Sequence, residues 1–188
     1  MDLKATKQEL RKKFGSKRRQ LTNVECQLAA RQLLEHLQPL LANIKTFAIY
    51  YAYANEISLQ PLIEFALTKE YQIYSPVALR STRVMRFEQL LSGNLATVFV
   101  AEDYKLTHEI KWYNLDLVLL PLLAVDYKGY RLGQGGGYYD TTFAQPINHP
   151  RPLLCGVGYD WQLVDSLPHE EWDLQLDYFA SNNGLHQF

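Results

Sequence analysis

The chain has 188 residues and a mass of 21.8 kDa, and 47% of its residues are hydrophobic, which suffices for a buried core and excludes a disordered chain. Its 19 Lys and Arg residues against 20 Asp and Glu residues leave a formal charge of -1, which excludes binding to nucleic acid by overall charge. The longest apolar stretch, residues 115–125, is shorter than the roughly 20 residues of a membrane span. We therefore expect one domain, residues 1–188, that acts as a monomer and binds neither nucleic acid nor membrane.

The first part of the chain predicts two helices followed by a strand, a helix and a strand. Apolar residues recur at helical spacing from residue 3 to about residue 41, and Thr22 with Glu25 forms a capping box that begins the second helix. The run 46–52 is typical of a buried strand, and residues 58–69 of a helix with Pro61 in its first turn. Residues 71–77 predict the second strand.

The second part predicts further strands around a glycine-rich segment. A short strand is expected at 84–87, and residues 95–113 have a loop-rich composition. The continuous apolar run 115–124 indicates a central strand covered on both faces, whose regular pairing must end at Pro121. A helix is predicted to begin near Tyr138, and a strand over 153–159. The pattern predicts an α/β fold, a three-layer sandwich whose mostly parallel central sheet is flanked by helices, with ligands at the strand ends.

Residues 133–137 read Gly-Gln-Gly-Gly-Gly and form the most informative segment. Glycines permit positive φ and let backbone N–H groups converge on an anion. The spacing matches neither the Walker motif nor the dinucleotide fingerprint, and an ordinary surface turn is the alternative. Arg131, predicted at the surface of the loop before the glycines, and Asp140 after them favour a phosphate site, because they supply a guanidinium fork and a hard oxygen ligand for magnesium.

Charged residues elsewhere extend this hypothesis. Lys4, Lys7, Arg11 and Arg18 fall on one arc of the first helix and are predicted to point toward phosphates, with a solvated basic face as the alternative. Acidic residues recur near strand ends and in the C-terminal segment, at Glu56, Asp140, Asp173 and Asp177. The histidines lack the spacing of a transition-metal site. Cys26 and Cys155 lie 129 positions apart without a secretory signal, which predicts free thiols in a reducing cytoplasm.

The segment LDLVLLPLLAVDYKGYRLGQGGGYYD resembles the signature of the 5-formyltetrahydrofolate cyclo-ligases, a strand followed by Pro, Asp and G-x-R-L-G-x-G-x-G-Y-Y-D. Weaker matches follow in the family's order along nearly the whole chain: Lys7 to Arg11 as K-x-x-x-R, Glu56 after the first strand, Met85 to Phe87 as M-x-F, and Leu167 to Asp173 as LP-x-E-x-x-D. The resemblance implies a cytoplasmic ligase that uses ATP and Mg²⁺ to convert 5-formyltetrahydrofolate, including its polyglutamates, to 5,10-methenyltetrahydrofolate, with release of ADP and phosphate.

The resemblance also implies a role for particular residues. Arg131 and Asp140 would be catalytic, and Asp140 and Asp173 would hold magnesium. ATP would contact Lys7, Arg11, Arg131, Gly133, Gly135, Gly136, Gly137, Tyr138 and Asp140. The folate would contact Glu56, Met85, Phe99 and Tyr138, with Phe99 in a segment, residues 98–105, that departs from the family pattern.

Structural alternatives exist for two of these residues, since Met85 could fill the core and Tyr138 could anchor the glycine loop. Two other functions also fit the residues. The same loop could serve a nucleotide sensor without catalysis, and the basic helix could serve a small RNA-binding protein.

Overall fold

A computed structural model of the chain describes residues 3–79, 82–90, 99–100, 108–145 and 148–188. The helices of this part of the chain are α1 (Leu3–Arg19), α2 (Asn23–Leu41), α3 (Gln60–Leu67) and α4 (Tyr138–Phe143), with short 3-10 turns at Trp112–Asn114 and Asp160–Gln162. The predicted capping box is confirmed, because the Thr22 side chain accepts the N–H of Glu25 and the Glu25 carboxylate accepts the N–H of Thr22.

Two sheets contain the strands. The large sheet comprises β1 (Thr46–Ala48), β2 (Gln72–Leu79), β3 (Met85–Gln89), β4 (Phe99–Val100), β5 (Glu109–Ile110), β6 (Leu117–Pro121), β9 (Leu153–Val157), β11 (Tyr178–Ser181) and β12 (Gly184–Gln187). The small sheet comprises β7 (Ala124–Asp126), β8 (Arg131–Leu132) and β10 (Leu163–Val164).

The centre of the large sheet is parallel. The strands β11, β9, β6, β1 and β2 run parallel in that spatial order, while β12 at one edge and β3 and β5 at the other pair antiparallel. β4 lies parallel to the end of β2. The predicted class, a mixed α/β fold with a mostly parallel central sheet, is confirmed.

Alternate residues of the central strands bury opposite faces of the large sheet. Leu117 and Leu119 of β6 pack in a cluster with α2 and α3, whereas Val118 and Leu120 face a second cluster that includes Phe143 of α4. Each such leucine contributes about 1.5–3 kcal/mol by leaving water. The long helices α2 and α3 thus cover one face, and the other is covered by the short α4, a 3-10 turn and the small sheet.

The apolar run 115–124 is divided between the two sheets, so the strand is shorter than the run, and the prediction that its regular pairing ends at Pro121 is confirmed. β6 pairs with β9 as far as Pro121, which lies opposite Val157. Proline has no N–H for further pairing, and the chain bends at Leu122 and Leu123 before entering β7. The strand predicted over 46–52 is also shorter, because the chain leaves the sheet after Ala48.

A buried carboxylate organises the β7–β8 hairpin. Asp126 is 1% exposed, and its Oδ1 accepts the N–H groups of Lys128 at 2.9 Å and Tyr130 at 3.1 Å. Its Oδ2 accepts the N–H of Leu167 at 3.0 Å. Gly129 in the turn has a φ of 83°, which a side chain would strain. Asp126 therefore replaces the partners that these turn amides would otherwise find in water.

We expect Asp126→Ala to lower the free energy of unfolding by about 3 kcal/mol, because it leaves three N–H groups, among them the buried one of Leu167, without their acceptor. Denaturant unfolding measures the loss. Asp165→Ala, which removes an exposed carboxylate of the same chain, is the control and should change stability by less than about 0.5 kcal/mol. Equal stability of the two variants would show that Asp126 does not organise the hairpin.

Candidate active site

The carboxyl ends of the parallel strands lead into the segments that carry the predicted site residues. Glu56 follows β1, the bend that leads to the glycine loop follows β6, and Tyr159 follows β9. In open α/β sheets this edge is where ligands bind, since the chain reversals leave a crevice there. The glycine loop, residues 133–137, returns to this edge from the small sheet.

Helix α1 is held against the small sheet by an apolar cluster. Phe14 is 7% exposed and packs with Leu123, Leu132 and Leu167, while its ring stacks on Trp161 with centroids 6.2 Å apart. This packing fixes the helix face that carries the basic residues. The apolar stripe of α1 is buried, so the basic residues beside it are held on a fixed side of the helix.

Two cations at the site are paired with the two predicted magnesium ligands. Lys7 Nζ lies 2.5 Å from Asp173 Oδ2 and 3.5 Å from Glu170 Oε2. Arg131 Nη1 lies 2.9 Å from Asp140 Oδ1. The Arg131 side chain is 5% exposed in β8, so its predicted location at the surface of a loop is wrong. Pairing of Arg131 with Val125 and of Leu132 with Ala124 in the hairpin, which local sequence does not reveal, draws this segment into a strand.

The glycine loop has the backbone conformation that its composition predicts at two of its positions. Gly135 has a φ of 95° and Gly137 a φ of 71°, a region that side chains disfavour. Arg11 Nε donates to the carbonyl of Gly133 at 2.9 Å, and its guanidinium lies 3.4 Å from where a Cβ on Gly135 would sit. A Cβ on Gly136 would lie 3.0 Å from the Tyr138 ring. Arg11 therefore contacts the loop directly. Arg131 precedes the loop by two residues, and the backbone of Leu174 contacts both Arg131 and Asp140 next to the Asp173 that Lys7 binds.

Glu56 lies at the other end of α1. Its side chain is 8% exposed, and Oε1 lies 3.2 Å from Arg18 Nη1, while Oε2 accepts the N–H of Tyr53 at 3.1 Å. Gln134 of the glycine loop donates to Oε1 at 3.5 Å. Burial raises the pKa of Glu56, and the Arg18 charge opposes that rise.

The expectation that all four cations of α1 point toward phosphates is wrong for Arg18. This residue is 2% exposed, and its guanidinium pairs with Glu56 and donates hydrogen bonds to the carbonyls of Ala54 and Leu122. Helical spacing placed Arg18 on the correct face but could not show that a buried carboxylate lies opposite it. The pair is a long-range contact, between residues 38 positions apart by number.

The remaining predicted folate contacts have different environments. Met85 is 5% exposed and packs in the second core cluster, and Tyr138 packs against that cluster. The Met85 environment therefore matches the core-filling alternative. The Phe99 side chain and residues 101–107 lie outside the part that the structure describes.

Sequence reasoning missed two polar residues near the loop. Arg83, just after β2, has Nη1 3.6 Å from where a Cβ on Gly137 would sit. Gln134 links the loop to Glu56 as described. Arg83 belongs to no motif and Gln134 is a variable position of the glycine signature, so only the return of the chain to this edge of the sheet reveals their contacts.

The described ranges contain no group of three or more His, Cys, Asp or Glu residues arranged for a metal ion. Within the same ranges no helix has the length and apolar character needed to cross a membrane. A glycine loop bonded by Arg11, with the two ion pairs Lys7–Asp173 and Arg131–Asp140, defines an α/β protein whose groups suit a phosphorylated ligand.

Comparisons with known proteins identify the family. The model of the 5-formyltetrahydrofolate cyclo-ligase family matches residues 3–181. The 5-formyltetrahydrofolate cyclo-ligase of Escherichia coli K12 is 32% identical over 164 residues, 80% of this chain and 84% of that protein. The Haemophilus influenzae enzyme of the same name is 30% identical over 177 residues, 90% of this chain and 94% of that protein.

Solved structures agree with these relatives. A 5,10-methenyltetrahydrofolate synthetase from Mycoplasma pneumoniae superposes with a TM-score of 0.76 at 26% identity, covering 97% of this chain and 99% of that one. One from Aquifex aeolicus gives 0.78 at 27% identity, covering 96% and 92%. The chain belongs to the 5-formyltetrahydrofolate cyclo-ligase family, and the predicted family and enzyme class, a ligase, are confirmed.

We expect Gly135→Ala to lower the free energy of unfolding by about 1–2 kcal/mol, because alanine is strained at positive φ. Gly133→Ala is the matched control, since Gly133 lacks a positive φ and a Cβ there would meet no heavy atom within 4 Å. It should change stability by less than about 1 kcal/mol. Denaturant unfolding compares the two variants, and equal losses would contradict the loop conformation.

Proposed function

We propose that this protein catalyses the ATP-dependent cyclisation of 5-formyltetrahydrofolate to 5,10-methenyltetrahydrofolate, with release of ADP and phosphate. Family membership supports the reaction. The observation that carries the proposal is that Arg11 bonds the glycine loop, while Lys7 is paired with Asp173, and Arg131, which precedes the loop by two residues, with Asp140. Cations and a glycine backbone are what a triphosphate requires.

The proposed reaction needs positioning and charge neutralisation rather than a protein nucleophile. The formyl oxygen takes the γ-phosphoryl group, so a P–O bond to ADP breaks and an O–P bond to the formyl group forms. The neighbouring folate nitrogen then attacks the formyl carbon, loses its proton, and phosphate leaves with the formyl oxygen. Arg131 and the other cations would stabilise charge on the transferred group, as in other phosphoryl transfers.

The nucleotide side would consist of the glycine loop and its cations. Lys7, Arg11 and Arg131 would bind phosphates, and the triphosphate would replace the carboxylates that now neutralise Lys7 and Arg131. Arginine has five N–H donors, so the Arg11 bond to Gly133 leaves others for the nucleotide. The nucleotide would be lined by the glycines of the loop, Gly133, Gly135, Gly136 and Gly137, and by Tyr138.

Asp140 and Asp173 suit a magnesium ion that arrives with ATP. Their described contacts fall on Oδ1 of Asp140 and Oδ2 of Asp173, and each carboxylate has a second oxygen. Mg²⁺ typically uses one or two carboxylates together with substrate phosphates, so a larger protein cage is unnecessary. When bound, the ion would neutralise phosphate charge and polarise the transferred group.

The folate side would lie at Glu56. A carboxylate accepts hydrogen bonds from pterin N–H groups, and Glu56 is held at the edge of the sheet near Gln134 of the glycine loop. Met85, Phe99 and Tyr138 stay predicted contacts of the folate. Acceptance of polyglutamates, a monomeric state and a cytoplasmic location also stay predictions from the sequence.

An assay that measures both products tests the reaction. Purified protein with ATP, Mg²⁺ and 5-formyltetrahydrofolate should produce methenyltetrahydrofolate, measured by its absorbance, and an equal amount of ADP. ATP binding in calorimetry without turnover would contradict the proposal and favour a nucleotide sensor. RNA binding without ATP binding would favour the RNA-binding alternative.

We expect Asp140→Asn to lower kcat by roughly 100-fold while the dissociation constant of the folate stays within about twofold, because loss of the charge costs several kcal/mol at a metal-assisted step. The Mg²⁺ concentration for half-maximal rate should rise. Glu171→Gln, in the exposed stretch beside Asp173, is the control and should leave both unchanged. A wild-type Mg²⁺ requirement in Asp140→Asn would exclude Asp140 as a ligand.

A further inference from the structure

The turn that carries Glu56 is conformationally strained. Ala54 has a φ of 48° and Asn55 a φ of 60°, two consecutive side-chain-bearing residues in the left-handed region. Glu56 N–H donates to the carbonyl of Tyr53 at 3.1 Å across the turn. Alanine rarely adopts such a φ, so surrounding contacts must hold this conformation.

Two parts of the chain provide those contacts, the end of α1 and the segment after β9. Arg18 Nε of α1 donates to the carbonyl of Ala54 at 3.0 Å, and Tyr159 Oη donates to the carbonyl of Asn55 at 3.0 Å. In return, the Asn55 side chain donates to the carbonyls of Arg18 at 3.4 Å and Leu21 at 3.1 Å, at the end of α1. The turn and the helix end therefore hold each other.

The guanidinium that holds the turn also holds the carboxylate. Arg18 Nη1 lies 3.2 Å from Glu56 Oε1 and donates to the carbonyl of Leu122 at 3.3 Å. The second oxygen of Glu56 accepts the N–H of Tyr53. Both carboxylate oxygens of Glu56 are thus held by groups of the protein itself. A planar guanidinium with several donors suits this task, whereas an ammonium is a point charge.

We propose that Arg18 is a positioning residue for folate binding, which holds the strained turn and the Glu56 carboxylate in the orientation that meets the pterin ring. The inference rests on the proposed function, since it takes Glu56 as the pterin contact. A purely structural role explains it less well, because a buried ion pair contributes little net stability compared with apolar residues of similar volume.

The charged surroundings of Glu56 give the proposal a pH signature. Arg18 from α1 faces the carboxylate, the hydroxyls of Tyr50 after β1 and Tyr139 of α4 lie close enough to interact with it electrostatically, and the Gln134 amide contacts it. Burial raises the pKa of Glu56 and Arg18 opposes the rise. Without Arg18 the carboxylate would protonate at higher pH and lose its capacity to accept pterin N–H groups.

The test compares Arg18→Met with Arg18→Lys and with Arg19→Met, which removes an exposed cation from the same helix. Binding of 5-formyltetrahydrofolate is measured by calorimetry without ATP, and ATP binding is measured separately. We expect Arg18→Met to weaken folate binding at least about tenfold while ATP binding changes less than about twofold. Arg19→Met should match the wild type in both.

The pH dependence separates positioning from loss of fold. As the pH is lowered toward the ordinary range of a carboxylic acid, folate affinity should begin to fall at a higher pH for Arg18→Met than for the wild type, because Arg18 opposes the rise of the Glu56 pKa. Arg18→Lys should restore the wild-type pH dependence, because the charge returns, but only part of the affinity, because the bond to Ala54 is lost. In a protein that already carries Glu56→Gln, adding Arg18→Met should weaken folate binding by a smaller factor than Arg18→Met does in the wild type.

Several outcomes would overturn the inference. One is a folded Arg18→Met with wild-type folate affinity, and another is equal weakening of folate and ATP. If Arg18→Met does not fold, Asn55→Gly permits the positive φ but removes the two bonds to α1, and wild-type folate affinity in that variant would overturn the inference. Folate binding by the wild type without turnover would defeat the proposed reaction alone, whereas absence of folate binding would defeat both.

Discussion

The site depends on the bend at Leu122 and Leu123, where the chain leaves the large sheet. A bend of this kind leaves buried carbonyls without strand partners, which is costly unless other groups supply hydrogen bonds. Gln162 Nε2 donates to the carbonyl of Leu122 at 3.1 Å and to that of Leu123 at 2.7 Å, and Arg18 also bonds the carbonyl of Leu122. Pro121 makes the change of direction necessary, and these side chains make it stable.

The positions of the small sheet, of α1 and of the glycine loop, which form the proposed nucleotide side, depend on that change of direction. The chain that leaves β6 builds the small sheet, which seats Phe14 of α1 and returns the glycine loop to the strand ends. Helix α1 then spans the site, since Lys7 and Arg18 are separated by about 16 Å along the axis at 1.5 Å per residue. One helix therefore contacts both Asp173, at the proposed nucleotide end of the site, and the turn that carries Glu56.

Three cations of the site are paired with carboxylates of the protein. Lys7 pairs with Asp173, Arg131 with Asp140, and Arg18 with Glu56. A cation of low exposure needs such a partner, because removing it from water is otherwise costly. On the proposed function the first two pairs are exchangeable, since a triphosphate can replace a carboxylate. The third is fully enclosed by the fold and serves to position the carboxylate.

The sequence by itself determined the features that depend on neighbouring residues. The capping box at Thr22, the buried central strands and the positive φ of Gly135 and Gly137 all follow from local propensity, periodicity and the absence of a side chain. The glycine signature and its flanking charges also sufficed to predict the family, because the residues that surround a phosphate lie close together in the chain.

Only the tertiary structure decided which partner each charged side chain meets. Helical periodicity placed Arg18 on the face of Lys7 and Arg11, but the carboxylate opposite it comes from a turn after β1. In the same way, the run 115–124 is divided because one part of it pairs with β9 and the other with β8. The burial of Met85 depends on its packing against residues of other strands. These contacts join segments far apart in the chain, and a local pattern carries no information about which distant group will fill a given space.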